Sequence, residues 1–320
     1  MSPVHGRGAG LPAGTPPRPP LPQGEGLALD MGSARTRVWV ASRGVVLDAP
    51  GLNAPDVRPG HHPVGHGTIA DVPETARRLD RMLGPHMPRR ARPLVVVTTR
   101  VMQGPVYREQ ARAVVEVLRP RAVLTLSTAR AAALAAHADL ARPLLVADVG
   151  AHSSEVVLLV DGAVVDARST ALGTDGPVGT VPSEELGNAV AAMVRAMLRQ
   201  DRTAVTAAAL NRGVLLAGGG GLRPDLVPLL ADGLQAPVVA VRAPHTAAVR
   251  GAARVLYAAQ RHPSARACFR TGPVRPRRTA RQVAPAPPPS GTAGSEGYPA
   301  APPAPLRRGA AGGSSSGCGS

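Results

Sequence analysis

Lysine is missing from this sequence, and aromatic residues and cysteines are scarce. All 37 basic residues are arginines, aromatic residues make up 2% of the chain, and only two cysteines occur. Both cysteines, Cys268 and Cys318, lie in a C-terminal stretch rich in Pro, Gly and Arg, which argues against a disulfide framework. No stretch approaches the roughly 18 consecutive apolar residues of a membrane span, and the Gly- and Pro-rich N-terminus lacks the apolar core of a secretory signal. These absences favour a cytoplasmic protein.

Positive charge is present in excess. The formal net charge is +16, and residues 263–320 carry eight arginines against one acid, Glu296. A basic, flexible tail can bind phosphate-rich polymers or an anionic membrane surface. Recognition of single-stranded nucleic acid usually needs aromatic side chains for stacking, and none interleaves with the arginines between residues 275 and 281. This pattern argues against nucleic acid as the partner.

Composition divides the chain into a folded middle and two tails. Residues 1–26 and 263–320 have the composition of disordered segments. Between them, strand and helix patterns alternate, and the series restarts at residue 144. We predict an internally duplicated α/β fold. Its first domain spans residues 27–143 and is completed by a closing helix at 247–260, and its second domain spans residues 144–246.

Apolar runs and their periodicity predict the individual elements. Strands are predicted at residues 27–30, 38–40, 94–98, 122–126, 144–148, 155–160, 163–169, 214–216 and 237–241. Helices are predicted at residues 73–83, 107–118, 129–138, 183–199 and 247–260. The pair Asp161-Gly162 predicts a two-residue hairpin turn. The run Ser183-Glu184-Glu185 predicts a capping box at the start of its helix.

Three glycine-containing turns follow predicted strands. The turns at residues 30–36 and 148–155 each open with an aspartate at a strand end, and the third is the polyglycine run 218–221. Glycine lets a phosphate approach the backbone closely, and N–H groups or hydroxyls then hold its oxygens. A strand-end carboxylate can hold a water of Mg²⁺. One such turn is more often a plain hairpin, but three in this order favour a phosphate site.

Five segments of the chain resemble, in order, motifs of the MreB family of bacterial actin-like proteins. L-D-M-G-S-A-R-T at 29–36 resembles the first phosphate loop of the family, I-D-L-G-T-A-N-T. D-V-G-A-H-S-S-E at 148–155 resembles the second, D-I-G-G-G-T-T-E. Residues 44–50, G-V-V-L-D-A-P, are similar to G-I-V-L-N-E-P, and residues 62–71 to R-P-L-K-D-G-V-I-A-D. Residues 213–220, G-V-L-L-A-G-G-G, resemble the adenosine segment G-I-V-L-T-G-G-G.

The resemblance implies an actin-like ATPase (ribonuclease H-like) fold that binds ATP with Mg²⁺. Asp30 and Asp148 would hold the hydrated metal ion. The remaining site residues would contact the nucleotide: Gly32, Ser33, Ala34, Gly150 and Ser153 at the phosphates, and Gly218, Gly219 and Gly220 at the nucleoside. In the family this fold serves cell shape and wall synthesis, so self-association, the cell-wall machinery and the inner membrane face are the expected partners.

The chain also departs from the family pattern. The segments that would hold subdomains IB and IIB are very short, so the resemblance implies a fold reduced to subdomains IA and IIA. The family motif I-E-E-P-M-A-A-A, which orders the attacking water, is matched by L-S-T-A-R-A-A-A at 126–133 without a carboxylate. His152 replaces a glycine of the second loop. Residues 84–92 lie where the family has a membrane-dipping loop, although a solvated connector is the simpler interpretation.

Two other functions are compatible with these observations. A small-molecule kinase of the same superfamily would need a carboxylate base beside its substrate and a lobe to close over it, and neither is evident. An actin-fold scaffold that no longer binds nucleotide would act through its tails. We therefore expect nucleotide binding with weak or absent hydrolysis.

Overall fold

The computed structural model describes residues 25–51, 69, 71–88, 92–176 and 179–262. Residues 1–24 and 263–320 lie outside it, as do both cysteines and the arginine-rich tail. The folded part begins earlier than predicted, because the first strand starts at Gly26. Backbone hydrogen bonds fix this start, since Leu94 N donates to Glu25 O and Ala41 N donates to Gly26 O.

A first five-stranded sheet is built from the N-terminal half of the folded chain. Its strands are β1 (Gly26–Met31), β2 (Arg35–Val40), β3 (Val45–Pro50), β4 (Leu94–Thr99) and β5 (Ala122–Ser127). The order is β3-β2-β1-β4-β5, with β1, β2 and β3 antiparallel and β1, β4 and β5 parallel. Helices α1 (Val72–Leu83) and α2 (Gly104–Val115) cover its outer face.

A second sheet repeats this topology. Its strands are β6 (Leu144–Val149), β7 (Ser154–Val160), β8 (Ala163–Thr170), β11 (Val214–Ala217) and β12 (Val238–Ala240), in the order β12-β11-β6-β7-β8. Helices α4 (Ser183–Gln200) and α6 (Leu226–Leu234) cover its outer face. The matching strand orders and directions confirm the predicted duplicated α/β fold.

Two small-residue helices, α3 (Thr128–Ala135) and α7 (Ala247–Arg261), cover the inner faces of the sheets. Helix α3 packs through Ala129, Ala132 and Ala133 against β6 and β7. Helix α7 packs through Val249, Ala252 and Leu256 against β1 and β4. The helices meet so closely that a Cβ on Gly251 would lie 1.8 Å from the carbonyl oxygen of Ala131. Glycine at this position therefore allows the two helix backbones to touch.

All the predicted strands and helices occur, with ends shifted by a few residues. Among the described strands and α-helices, five were not predicted: the strands β3, β9 (Asp175–Gly176) and β10 (Gly179–Thr180), and the helices α5 (Val205–Arg212) and α6. Helix α5 has only eight residues, and Pro228 and Gly233 interrupt the helical pattern of α6. Both residues lie close enough to the helix ends to be accommodated.

The predicted turn at Asp161-Gly162 is confirmed, with positive φ angles of 49° and 70° as a two-residue hairpin requires. The predicted capping box was wrong. The helix is capped at Pro182, and no side chain bonds the free N–H groups there. Ser183 is buried inside the first turn, where its Oγ lies 3.5 Å from Nη1 of Arg223.

The segments that would hold subdomains IB and IIB differ in how much of each the structure describes. Between β8 and α4 the structure describes only a small hairpin of β9 (Asp175–Gly176) and β10 (Gly179–Thr180). Between β3 and α1, residues 52–68 and 70 lie outside the described residues.

The crossing of α3 and α7 gives a stability test. We expect Gly251→Ala to lower the free energy of unfolding by about 2–3 kcal/mol, because the methyl group overlaps the backbone of α3. The matched control is Gly233→Ala in α6, where the new Cβ lies 3.8 Å from the nearest atom. That change should be neutral or stabilise by up to about 1 kcal/mol. Urea unfolding of both variants checks the difference, and equal effects would contradict close helix contact.

Candidate functional site

Strand alternation brings the two predicted aspartates onto the inner faces of the sheets. Successive side chains of a strand point to opposite faces. Ala28 of β1 packs on the inner side against α7, so Asp30, two residues later, points the same way. Val146 of β6 packs on the inner side against α3, and Asp148 follows it with the same parity. Burial raises the pKa of Asp30, and the charge of Asp148 raises it further.

Asp30 is held by the neighbouring parallel strand. Thr98 of β4 pairs with Asp30 in register, and its hydroxyl donates to Asp30 Oδ1 at 2.6 Å. Burial raises the pKa of Asp30, and the hydrogen bond from Thr98 partly opposes that increase. Asp30 therefore lies in a polar but desolvated position at the carboxyl end of β1.

Asp148 is paired with an arginine that the sequence analysis did not single out. Arg100 follows β4, and its Nη2 lies 3.3 Å from Asp148 Oδ2. Its Nη1 donates to the backbone oxygen of Ser153 at 3.0 Å and also contacts Ser153 Oγ. A Cβ on Gly150 would lie 2.5 Å from Arg100 Nη2, so the guanidinium lies directly against the second glycine turn.

Glu155 forms a second link between the two halves. It pairs with Asp148 across β6 and β7 and is 1% exposed. Its carboxylate accepts hydrogen bonds from the backbone N–H groups of Met102, at 2.7 Å, and Val101, at 3.3 Å. Burial raises the pKa of Glu155, and these two hydrogen bonds partly oppose that increase. The segment after β4 is thus fixed to the second sheet by both a guanidinium and a carboxylate.

The first and second glycine turns are in contact. His152 Nδ1 lies 3.0 Å from Ser33 Oγ. Gly51 N donates to Ala34 O at 2.8 Å, and a Cβ on Gly51 would lie 2.4 Å from Ser33 O. Gly51, directly after the end of β3, therefore packs against the first turn. His152 contacts the same turn from the second half of the fold.

The polyglycine run packs against the end of β6. Gly218 has φ 84°, and a Cβ there would lie 2.5 Å from Asp148 Oδ1. A Cβ on Gly220 would lie 2.4 Å from Val149 Cγ1. By contrast, a Cβ on Gly219 would have no atom within 4 Å. Glycine is thus required at positions 218 and 220 for packing, whereas Gly219 faces open space.

A surface cavity of about 250 Å³ lies beside this network. Its lining includes Thr99 and Arg100 at the end of β4, Ser127 at the end of β5, Arg108 of α2 and Val164 of β8. Ser127 also caps α3, since its Oγ accepts a hydrogen bond from Arg130 N at 3.3 Å. Strand-end residues of both sheets therefore border one cavity, whose lining mixes apolar side chains with hydroxyls and two arginines.

The predicted site residues meet in this region. Contacts of the second turn reach both other turns, through His152 to Ser33 and through Asp148 to Gly218. Arg100, Glu155 and Thr98 were missed. One sequence signal for Thr98 and Arg100 was available. Residues 98–100 lie at the end of a predicted strand, and the carboxyl ends of neighbouring parallel strands, here β1 and β4, share one edge of the sheet.

The observed donors do not fit a hydrated Mg²⁺ well. Asp148 Oδ2 is paired with Arg100, and Asp148 Oδ1 packs against Gly218, whereas magnesium usually retains several waters that need room. Within the described part of the chain, no group of three or more His, Cys, Asp or Glu side chains is arranged to hold a metal ion. The magnesium role of Asp30 and Asp148 stays a prediction.

The described residues of the segment 84–92, for which a connector is the simpler interpretation, pack on the folded body. Met87 is partly buried against the outer core of the first sheet, and Arg43 Nη2 donates to Pro85 O at 3.3 Å. These contacts favour a connector, and residues 89–91 lie outside the described residues. In the ranges that the structure describes, no helix has both the length and the hydropathy needed to cross a bilayer.

Known structures share this architecture. MreB5 of Spiroplasma citri bound to ADP aligns with a TM-score of 0.62 and 17% identity, over 74% of this chain and 98% of that one. The MamK double helical filament gives 0.58 and 14%, over 72% and 98%. The ethanolamine utilization protein EutJ from Carboxydothermus hydrogenoformans gives 0.54 and 14%, over 73% and 90%. No protein-family model and no curated protein sequence matches the chain.

These likenesses, together with the duplicated sheets and their facing strand ends, define the class of protein. The chain has an actin-like ATPase fold in a reduced form. At identities of 14–17%, the neighbours establish the fold and not the particular family within it.

The Glu155 link gives a test of the network. We expect Glu155→Gln to lower the free energy of unfolding by about 1–3 kcal/mol, because the amide keeps one acceptor oxygen but places its NH₂ donor against the other backbone N–H. The control is Glu109→Gln on the exposed face of α2, which should change stability by less than about 0.5 kcal/mol. Denaturant unfolding of both variants gives the comparison. Equal, small effects would mean that Glu155 does not join the halves.

Proposed function

We propose that this chain is a nucleotide-binding protein of the MreB type, which binds ATP or ADP where the three glycine turns meet. The observation that carries the proposal is the contact of these turns across the two repeated sheets. MreB5 structures hold ADP and AMPPNP, which supports nucleotide binding at the corresponding place. In this proposal Gly32, Ser33, Ala34, Gly150 and Ser153 meet the phosphates, and the polyglycine run lies against the nucleoside.

The geometry of the polyglycine run supports this assignment. Gly218 and Gly220 pack against β6, while the Cβ direction of Gly219 points into open space. A helical turn without side chains, Gly219–Gly221, beside an open volume lets a base or a ribose approach the backbone closely. The polyglycine run is next to Asp148, so nucleoside and phosphates would lie on adjacent parts of one site.

Hydrolysis of ATP is proposed to be weak or absent. Ser127 and Thr128 stand at the positions of the family's carboxylates, and Ser127 borders the surface cavity. Positioning a water and accepting its proton typically contribute about 10²- to 10⁴-fold to a rate. A hydroxyl that also caps α3 is a poor substitute for a carboxylate base.

The biological role follows from the same likeness. We propose a cytoskeletal protein that self-associates, in keeping with the double helical filament of MamK. Cell-shape control with the cell-wall synthesis machinery at the inner membrane face is the role that the MreB resemblance implies. A fold reduced to two repeated sheets would form such contacts without the upper subdomains.

Two alternative functions are also considered. A scaffold of this fold without nucleotide binding is favoured by the arginine that already lies against the second turn. A small-molecule kinase is less well supported, because the described cavity contains hydroxyls and arginines but no carboxylate.

Nucleotide binding is tested by thermal unfolding of the full chain. ATP at about 100 times its dissociation constant should stabilise the folded state by about 2.7 kcal/mol, which is a rise of about 5–10 °C in Tm for a body of this size. Gly219→Val should fold normally, since its Cβ meets no protein atom, but should lose this rise. Gly84→Val, at another open glycine, is the matched control and should retain it. No rise in the wild-type chain would favour the scaffold.

Weak hydrolysis is tested by phosphate release. The wild-type chain should release phosphate from ATP far more slowly than the roughly 1 s⁻¹ at the lower end of typical enzymes. Ser127→Glu should raise the rate by about tenfold or more, because it restores a carboxylate beside the cavity. Ser127→Gln introduces a side chain of the same size as glutamate but without its charge, and it should leave the rate of phosphate release unchanged. Fast release by the wild-type chain would show that another group activates the water.

A further inference from the structure

The repeated sheets bring several carboxyl groups together at the centre of the site. Asp30 and Asp148 both point from the inner faces of the sheets, and the charge of Asp148 acts on Asp30 as a like charge. Glu155 stands beside Asp148 in register, which adds a third carboxyl group to the same small volume. Carboxyl groups gathered in a desolvated place are neutralised either by a proton or by a cation nearby.

Arg100 is the cation that the chain supplies there. Its guanidinium pairs with Asp148, binds the backbone and hydroxyl of Ser153, and lies against Gly150. Its positive charge also acts on Asp30 and on Glu155. A single side chain from the first half therefore compensates acids of both halves.

The donors of Arg100 are not all used. A guanidinium has five N–H donors, and the bonds to Asp148 and Ser153 engage only Nη1 and Nη2. Among the described residues, none accepts a hydrogen bond from Arg100 Nε. The side chain remains 18% exposed, and it borders the 250 Å³ cavity. The guanidinium can therefore accept an anion while it stays paired with Asp148.

The guanidinium and a divalent cation would compete for Asp148. The pairing of Arg100 occupies one carboxylate oxygen, and the other packs against Gly218. A metal ion bound there would lie beside a fixed positive charge, which repels it. A guanidinium also suits phosphate, because its planar donors match two phosphate oxygens at once.

We propose that Arg100 takes the place of the divalent cation, so that this site binds the polyphosphate of a metal-free nucleoside di- or triphosphate. This inference rests on the proposed function, since it needs a nucleotide in the site. It assigns the phosphate contact to a residue at the end of β4, outside all three glycine turns.

The experiment measures the affinity of the full chain for ATP by calorimetry, once with excess Mg²⁺ and once with EDTA. We expect ATP to bind at least as tightly in EDTA as with excess Mg²⁺, because the fixed charge of Arg100 opposes a metal ion at the site. Arg100→Gln should weaken the binding of metal-free ATP by at least tenfold, and Arg100→Lys should retain part of it through its point charge. Arg199→Gln, at an exposed position near the end of α4, is the control and should bind as the wild type does. Circular dichroism confirms folding of each variant.

The outcomes separate the two proposals. Binding in EDTA that is lost with Arg100→Gln supports the inference. Binding by the wild type only with Mg²⁺ overturns the inference and leaves the proposed function intact, whether or not the variants fold. Unchanged affinity of Arg100→Gln in EDTA also overturns it. Absence of binding in both conditions overturns both proposals. Inorganic tripolyphosphate serves as a second probe, and it should bind more weakly than ATP if the polyglycine run contacts the nucleoside.

Discussion

The contact between α3 and α7 is the constraint on which the remaining structure depends. Each sheet has an inner apolar face that must be covered, and these two helices cover both. They can do so only because their backbones touch at Ala131 and Gly251. Small residues at the crossing bring the sheets close enough for side chains at the strand ends to meet. A bulkier crossing would separate the glycine turns and open the network between them.

Close approach has an electrostatic consequence. The repeat places an aspartate at the same point of each sheet, so bringing the sheets together also brings together like charges. Hydrogen bonds from Thr98 and from the backbone of Met102, and the guanidinium of Arg100, offset the repulsion and the loss of solvent. The segment that follows β4 therefore stabilises the junction and at the same time forms one wall of the cavity.

Much of the fold and part of the site were predictable. Strands such as β4 and β6 are continuous apolar segments. The hairpin turn at Asp161-Gly162 and the restart of the series of elements at residue 144 are also visible in short stretches of sequence. Local patterns also located the three glycine turns, and the binding roles of their residues stay predictions. The capping box at Ser183 failed because the packing of α4 buries that side chain next to Arg223. Helix α6 was missed because Pro228 and Gly233 weaken a local signal that tertiary packing of Leu226 and Leu230 outweighs.

The sequence by itself determined the order of elements, the duplication and the three glycine turns, because periodicity and turn chemistry act over a few residues. Only the tertiary structure decided which charges meet. Arg100 lies 48 residues from Asp148 along the chain, and its role follows from the pairing of β1 with β4 and from the contact between the two halves. An arginine at a strand end has no local signature of its partner. Long-range packing selects that partner, since burial leaves a carboxylate with few ways to be neutralised.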